Sequence, residues 1–174
     1  MADASPAEIL YGIHPVRAAL AAGRRKVTAL YAVAGRKRNR RREEIVRLAE
    51  QRGIRCETVT IGELEKMAGS GSHQGLAAAV SGYPLVSPEE ILAGIASAKP
   101  AFILIADGVV DPHNLGALAR TAACVGVDGM IIPRNNAAAP TPAVSKAAAG
   151  AIESLALARV TNIVRTIDFF QKNS

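Results

Sequence analysis

The apolar and polar positions of the first 80 residues switch between the spacing of helices and the alternation of strands. Gly23 and Gly53 stand where a glycine ends a helix, and Thr60 with Glu63 has the spacing of a capping box. The pattern predicts helices at 15–22, 43–52 and 61–67 and strands at 27–33, 54–59 and 76–80. Residues 1–80 therefore predict a small α/β domain.

The second half alternates apolar strands with helices, after a connection at 81–98 that holds two prolines and a short Ala-rich helix. Asp111, Pro112 and Gly126 fit the N-cap, first turn and end of one helix. Strands are predicted at 101–106, 130–133 and 155–160, and helices at 112–125, 142–153 and 163–171. The first strand is wholly apolar, as in strands buried on both faces of a parallel sheet. Residues 99–174 thus predict part of a parallel sheet that awaits a further strand.

Cysteine, aromatic and apolar content argue against several kinds of protein. Cys56 and Cys124 lie far apart and outside any metal-ligand spacing, so we expect no disulfide and no metal site. Three Phe, three Tyr and no Trp disfavour the binding of single strands by base stacking. The first ten residues carry no basic segment and no long apolar run of the kind found in leader peptides, and no run approaches the roughly 18 apolar residues of a membrane span. The sequence predicts a soluble cytoplasmic protein without membrane contact.

The excess of positive charge is confined to the first half. Residues 1–80 hold fourteen Lys and Arg against eight Asp and Glu, whereas residues 81–174 hold seven of each. A charge run is often only a solvated face. A cation near the N-terminus of a helix, however, interacts unfavourably with the helix dipole, at a cost of about 0.3–1 kcal/mol each. A bound phosphate backbone would remove this cost. We therefore predict RNA contact by six cations, here called the basic segment: Arg36, Lys37, Arg38, Arg40, Arg41 and Arg42.

The glycine-rich stretch 69–75 (GSGSHQG) looks like a phosphate-binding loop, but its context is reversed. It follows a predicted helix and precedes a strand, whereas a dinucleotide fingerprint follows a strand and opens a helix. It also lacks the lysine of a P-loop. The stretch is therefore predicted to be a flexible loop, in which His73 and Gln74 are the side chains available to RNA.

The predicted helix at 112–125 carries the most specific motif. Gly116 and Arg120 are four residues apart and share one face of the helix, away from its apolar stripe. A glycine inside a helix costs about 1 kcal/mol relative to alanine, which suggests that something approaches the backbone beside Arg120. Asn114 is not on that face and can meet Arg120 only through the reach of its side chain. The alternative is a capped core helix with one exposed arginine.

Residues 111–131 (DPHNLGALARTAACVGVDGMI) resemble the first signature motif of the SpoU/TrmH-type methyltransferases in the SPOUT superfamily. Within that superfamily, the sequence resembles the 23S rRNA guanosine 2′-O-methyltransferases. YGIHPVRAAL and SHQGLAAAV resemble that subfamily's substrate-binding domain, which has the fold of a small ribosomal RNA-binding protein. KAAAGAIESLALARVTNI resembles the catalytic domain just before its cofactor site. The resemblance implies an α/β chain in which a small RNA-binding domain precedes an incomplete parallel-sheet SPOUT domain of the trefoil-knot type.

The resemblance also implies an activity. Family members are homodimers that transfer a methyl group from S-adenosylmethionine to a ribose 2′-hydroxyl of RNA. For this chain, the resemblance implies that the target is a guanosine of 23S rRNA. The Asn and Arg of the first motif act in catalysis, which corresponds to Asn114 and Arg120, and Glu153 falls at a recurrent family position. The second and third motifs, which form the knot around the cofactor, are expected beyond Ser174, so this chain is expected to lack the cofactor site.

Two other classes of protein stay open. An RNA-binding adaptor without catalysis is consistent with the absence of the second and third motifs. A nucleotide-binding α/β enzyme of another kind is disfavoured, because no phosphate fingerprint follows a predicted strand.

Overall fold

The computed structural model describes residues 7–34, 39–95 and 100–173, which fall into two units divided between Tyr83 and Pro84. A 3₁₀ turn at Gly71–His73 precedes the last strand of unit 1. The other elements described in unit 1 are β1 (Glu8–Tyr11), α1 (Ile13–Ala22), β2 (Val27–Val33), α2 (Arg40–Gln51), β3 (Arg55–Val59), α3 (Ile61–Ala68) and β4 (Leu76–Val80). The helices and strands predicted in residues 1–80 are present, with bounds that differ by no more than three residues.

The sheet of unit 1 has the strand order β1-β4-β2-β3, with β2 and β3 parallel and the other neighbours antiparallel. Alternate residues of β4 enter two different cores. Leu76 and Ala78 pack with the apolar side chains of α1 and α2 on one face, whereas Ala77 packs with Leu64 of α3 on the other. The sheet is therefore covered by helices on both faces.

Two features of unit 1 differ from the predictions. Strand β1 was not predicted, because it has only four residues and just one of them, Leu10, is fully buried. Helix α2 begins at Arg40 rather than at 43, because the Asn39 side chain accepts a hydrogen bond from the backbone N of Arg42 at 3.2 Å. Three arginines of the basic segment thus form the first turn of α2.

Unit 2 contains a three-stranded parallel sheet of order β5-β6-β7 within the described ranges. The stretch predicted as a connection contributes a helix to this unit, since Ile91 packs in one core with Ile131, Ala158 and Phe170. The elements are α4 (Pro88–Ala93), β5 (Ile103–Ile105), α5 (Pro112–Val125), β6 (Gly129–Pro133), α6 (Pro142–Ala147), a 3₁₀ turn (Ala151–Ser154), β7 (Leu157–Val160) and α7 (Ile163–Asn173).

Two predictions for unit 2 were wrong. The single helix expected over 142–153 is split, because Ala149 and Gly150 adopt positive φ angles of 51° and 84° and separate α6 from the 3₁₀ turn. Strand β5 is half-buried rather than buried on both faces. Among the described residues it pairs with β6 alone, which leaves its other edge uncovered.

Gly116 lies where α5 meets the end of α6. A Cβ at this position would stand 2.5 Å from the Cβ of Ala147, 2.9 Å from the N of Ala148 and 3.0 Å from the O of Val144. Two of these atoms belong to the backbone, so they cannot move away by a change of side-chain rotamer. The partner that approaches Gly116 is therefore the neighbouring helix, and no ligand is needed to explain the glycine.

We expect Gly116→Ala to lower the free energy of unfolding, although alanine is the better helix former. The gain in helix propensity is about 1 kcal/mol, whereas overpacking against fixed backbone costs about 1–3 kcal/mol. Gly62→Ala in α3 is the matched control, since no atom lies within 4 Å of its added Cβ, and it should be neutral or stabilising. Urea unfolding followed by circular dichroism checks both, and a Gly116→Ala protein as stable as the wild type would contradict the packing account.

Candidate functional site

Helix α5 begins at a loop that joins it to the carboxyl end of β5. The Asp111 carboxylate caps the helix by accepting hydrogen bonds from the backbone N of His113 at 3.3 Å and of Asn114 at 3.2 Å. The backbone N of Ala138, after β6, donates to the O of Val109 in this loop at 2.8 Å. Loops after two neighbouring parallel strands are thereby tied together at the edge of the sheet where α/β proteins bind ligands.

The two predicted catalytic residues both project from α5. Asn114 lies in its first turn and Arg120 one turn beyond Gly116, and both are exposed. Within the described residues, neither side chain takes part in a hydrogen bond or an ion pair, so Asn114 and Arg120 are not bonded to one another. Their polar atoms are available to a substrate, and the catalytic role of each stays a prediction.

Polar side chains lie buried on the elements that pack against α5. Ser145 of α6 is fully buried, and its Oγ has no hydrogen-bond partner in the part of the chain that the structure describes. Glu153, in the 3₁₀ turn that contacts α5, is 1% exposed. Burial also lowers the pKa of the neighbouring Lys146 ammonium below its ordinary value, because desolvation disfavours the charged form. Of these three residues, only Glu153 was singled out from the sequence, as a recurrent position of the family.

The basic segment is only partly described, because Arg36, Lys37 and Arg38 lie outside the described residues. Arg40 is exposed and forms an ion pair of 3.0 Å with Glu44, one turn along α2. Arg42 is 9% exposed, so it faces the protein interior rather than solvent. Arg41 is the one exposed cation among these three that forms no ion pair with described residues.

The stretch 69–75 is ordered by its own side chains. His73 is 1% exposed, and its Nδ1 accepts a hydrogen bond from the backbone N of Gly75 at 3.0 Å. The Gln74 Oε1 accepts from the backbone N of Ile13, at the start of α1, at 3.1 Å. The prediction that His73 is available to RNA is therefore wrong, and the Gln74 side chain ties this stretch to α1.

The described residues offer no metal centre, since they hold no group of three or more His, Cys, Asp and Glu placed to bind a metal ion. Burial, assisted by the negative charge of Glu50, raises the pKa of the Cys56 thiol, which disfavours the reactive thiolate form. No helix in the described ranges has both the length and the apolar character needed to cross a bilayer.

Family models match almost the whole chain in two consecutive segments. Residues 9–86 match the family model described as RNA 2′-O ribose methyltransferase substrate binding. Residues 101–174 match the model of the SpoU rRNA methylase family. The chain is 38% identical over 160 residues to 23S rRNA (guanosine-2′-O-)-methyltransferase RlmB of Acinetobacter baylyi, covering 92% of this chain and 64% of the relative. It is 36% identical to the RlmB of Shewanella oneidensis, with coverages of 95% and 67%. The chain thus spans about two-thirds of the length of these relatives.

Solved structures share the fold. The SpoU methyltransferase AviRb from Streptomyces viridochromogenes, in complex with the cofactor AdoMet, superposes with a TM-score of 0.68 at 21% identity, over 94% of this chain and 59% of that one. The AdoMet-bound rRNA methyltransferase from Sinorhizobium meliloti gives a TM-score of 0.71 at 20% identity, over 95% and 58%. At these identities the likeness concerns the fold alone.

We expect Arg41→Gln to weaken RNA binding, whereas Arg42→Gln should mainly destabilise unit 1. Each phosphate contact that is lost should reduce the slope of log affinity against log salt concentration by about 0.7–0.9. Arg55→Gln is the control, because it removes the same charge from β3 where Glu57 already pairs with it at 2.8 Å. Fluorescence anisotropy at several salt concentrations measures the slope. An unchanged slope for Arg41→Gln would mean that Arg41 makes no phosphate contact and is only part of a solvated face.

Proposed function

This chain belongs to the SpoU rRNA methylase family, and from that membership we propose that the protein containing it transfers a methyl group from S-adenosylmethionine to a ribose 2′-hydroxyl of rRNA. The observation that carries the proposal is the order of the two family matches, a substrate-binding segment followed by a methylase segment. The names of the relatives specify the target further, as a guanosine of 23S rRNA. Transfer of tritiated methyl groups to 23S rRNA tests this function.

Unit 1 is proposed to bind the RNA substrate. It carries the segment matched to substrate binding and also the whole excess of positive charge, since residues 81–174 are neutral overall. An excess of cations attracts the phosphate backbone whatever its sequence, and it accounts for most non-specific affinity. Recognition of the target nucleotide therefore needs contacts of another kind.

Arg120 and Asn114 are proposed as the catalytic side chains of unit 2. Arginine is a poor base, because a guanidinium holds its proton strongly. We therefore favour a role for Arg120 in orienting a phosphate over a role in removing the proton of the attacking hydroxyl. Its planar fork of donors suits a phosphate oxygen together with the alkoxide that develops on the ribose. Asn114 would orient Arg120 or the ribose once RNA is bound, because its amide is not engaged within the described residues. Positioning and electrostatic stabilisation then supply most of the rate.

One cavity of unit 2 offers no carboxylate to the sulfonium group of the cofactor. That cavity is lined by Arg134 and Arg159, whose positive charges would repel the sulfonium group of S-adenosylmethionine. We place the cofactor-binding residues in the family segments that this chain does not span. We also propose a homodimer, as the family resemblance implies, acting in the cytoplasm, where Cys56 and Cys124 stay reduced.

An RNA-binding adaptor is the second candidate function. The charge of the cavity in unit 2 favours it, because two arginines suit a phosphate better than they suit the cofactor. Methyl transfer to RNA separates the two candidates, since an adaptor would bind 23S rRNA without modifying it.

We expect the 174-residue chain to show no micromolar binding of S-adenosylmethionine. Titration calorimetry measures this, with the complete protein as the positive control. A clear micromolar site on the 174-residue chain would place the cofactor within residues 1–174 and contradict the assignment above.

We expect Arg120→Ala and Arg120→Lys to reduce the methylation rate severely in the complete protein while cofactor affinity stays within a few-fold. Lysine keeps the charge but loses the fork that contacts two acceptors at once, so the exchange is not conservative at such a site. Asn114→Ala should give a smaller loss of the same type. If Arg120 acts in the transition state, single-turnover rates should fall more than RNA affinity does.

Arg165→Lys is the control for this experiment, because Arg165 is an exposed arginine on α7. It should leave the rate unchanged. An Arg120→Lys protein that methylates at nearly the wild-type rate would reduce Arg120 to an exposed helix residue, for which surface substitutions change stability by only about 0.5 kcal/mol.

A further inference from the structure

A groove of about 610 Å³ lies in unit 2 at the carboxyl ends of β6 and β7. Its two walls differ in chemistry. One wall presents the guanidinium groups of Arg134 and Arg159, and the other is the segment that leads into α4. The lining residues are Leu85, Val86, Ser87, Pro88, Arg134 and Arg159.

The two arginines are held side by side by each other's backbone. Arg159 lies in β7 opposite Ile132 of β6, and Arg134 directly follows β6. The Arg159 Nη2 donates to the O of Arg134 at 2.6 Å, and the Arg134 Nε donates to the O of Arg159 at 3.4 Å. The backbone N of Arg134 also donates to the O of Val160 at 2.8 Å. Both cations are therefore fixed at one end of the groove.

No carboxylate among the described residues forms an ion pair with Arg134 or Arg159. The Arg159 Nε is buried and has no hydrogen-bond partner there. The carboxylate of Glu90, on α4, accepts a hydrogen bond from the backbone N of Ser87 at 2.7 Å and so belongs to the helix cap. Two adjacent guanidinium groups without an anion repel one another, and a bound anion removes that penalty.

The opposite wall is apolar and fixed. The backbone N of Val86 donates to the O of Leu157 at 3.0 Å, which holds the segment alongside β7. Leu85 is 45% exposed, and it lines the groove together with Val86, Pro88 and the polar Ser87. A ligand that matches both walls must carry negative charge on one side and a less polar surface on the other. A nucleotide of an RNA strand has this character, with its phosphate on one side and its ribose and base on the other.

We propose that this groove binds the phosphate–ribose backbone of the RNA substrate, at a place separate from the basic segment. The inference rests on the proposed function, because it assumes that RNA is the substrate. Unit 2 is neutral overall, so long-range electrostatic attraction does not bring an RNA strand to it. The RNA must instead be held by local contacts. The pair formed by Arg134 and Arg159 supplies such a contact.

The test measures binding of a fluorescein-labelled single-stranded fragment of 23S rRNA to the 174-residue chain by anisotropy over a range of salt concentrations. Arg134→Gln should weaken binding several-fold and reduce the log–log salt slope by about 0.7, the value for one contact to a single strand. Adding Arg159→Gln should reduce the slope by about the same amount again. Arg165→Gln is the matched control, because it removes one exposed charge from the same unit outside the groove, and it should leave the slope unchanged.

Arg134 is exposed, so Arg134→Gln should fold normally, and amide NMR spectra of the variant check this. A folded Arg134→Gln protein with the wild-type slope and affinity would overturn the groove while leaving the proposed function intact. A wild-type chain that fails to bind RNA would overturn the substrate assignment and the groove with it. If Arg134→Gln instead changes the sedimentation of the chain, the groove belongs to a second copy and the proposal is wrong.

Discussion

The close contact between α5 and the end of α6 places the chemistry of unit 2. Gly116 allows the two backbones to approach more closely than any side chain would permit. With α5 held there, its Asp111-capped end lies after β5, and Asn114 and Arg120 project from its exposed surface. The same approach brings the turn that holds Glu153 against α5. Packing of one glycine thus determines where the candidate catalytic groups lie relative to the buried polar ones.

Several arginines of unit 1 are used by the fold itself and are not available to a ligand. Arg25 is 3% exposed and forms an ion pair with Glu8 at 2.9 Å, beneath the ring of Tyr83 at 5.2 Å. Arg52 donates to the O of Leu20 at 2.5 Å and so ties α2 to α1. Arg42 is directed inward as well. The number of cations in the sequence therefore overstates the number that can meet a phosphate backbone.

Local signals made much of the fold predictable. The capping box of Thr60 and Glu63 and the cap formed by Asp111 are both present, because these bonds form between residues three apart at most. The elements that were missed depend on distant partners. β1 exists because β4 pairs with it, and His73 is buried because the chain around it is tied to α1. The break after α6 depends on Ala149, a residue type that gives no warning of a positive φ.

The site was less predictable than the fold, for a related reason. Asn114 and Arg120 were found through a family resemblance, whereas the groove lined by Arg134 and Arg159 depends on the pairing of β6 with β7. A lone arginine in a strand carries no signal until its neighbour across the sheet is known. In a neutral unit such a pair acts only over about the 8–10 Å of ionic screening, so it cannot attract a distant strand. On the groove proposal, the pair holds an RNA strand only after the strand has come into contact with it. The excess charge of unit 1 would then supply long-range attraction, and the pair in unit 2 would supply a local contact.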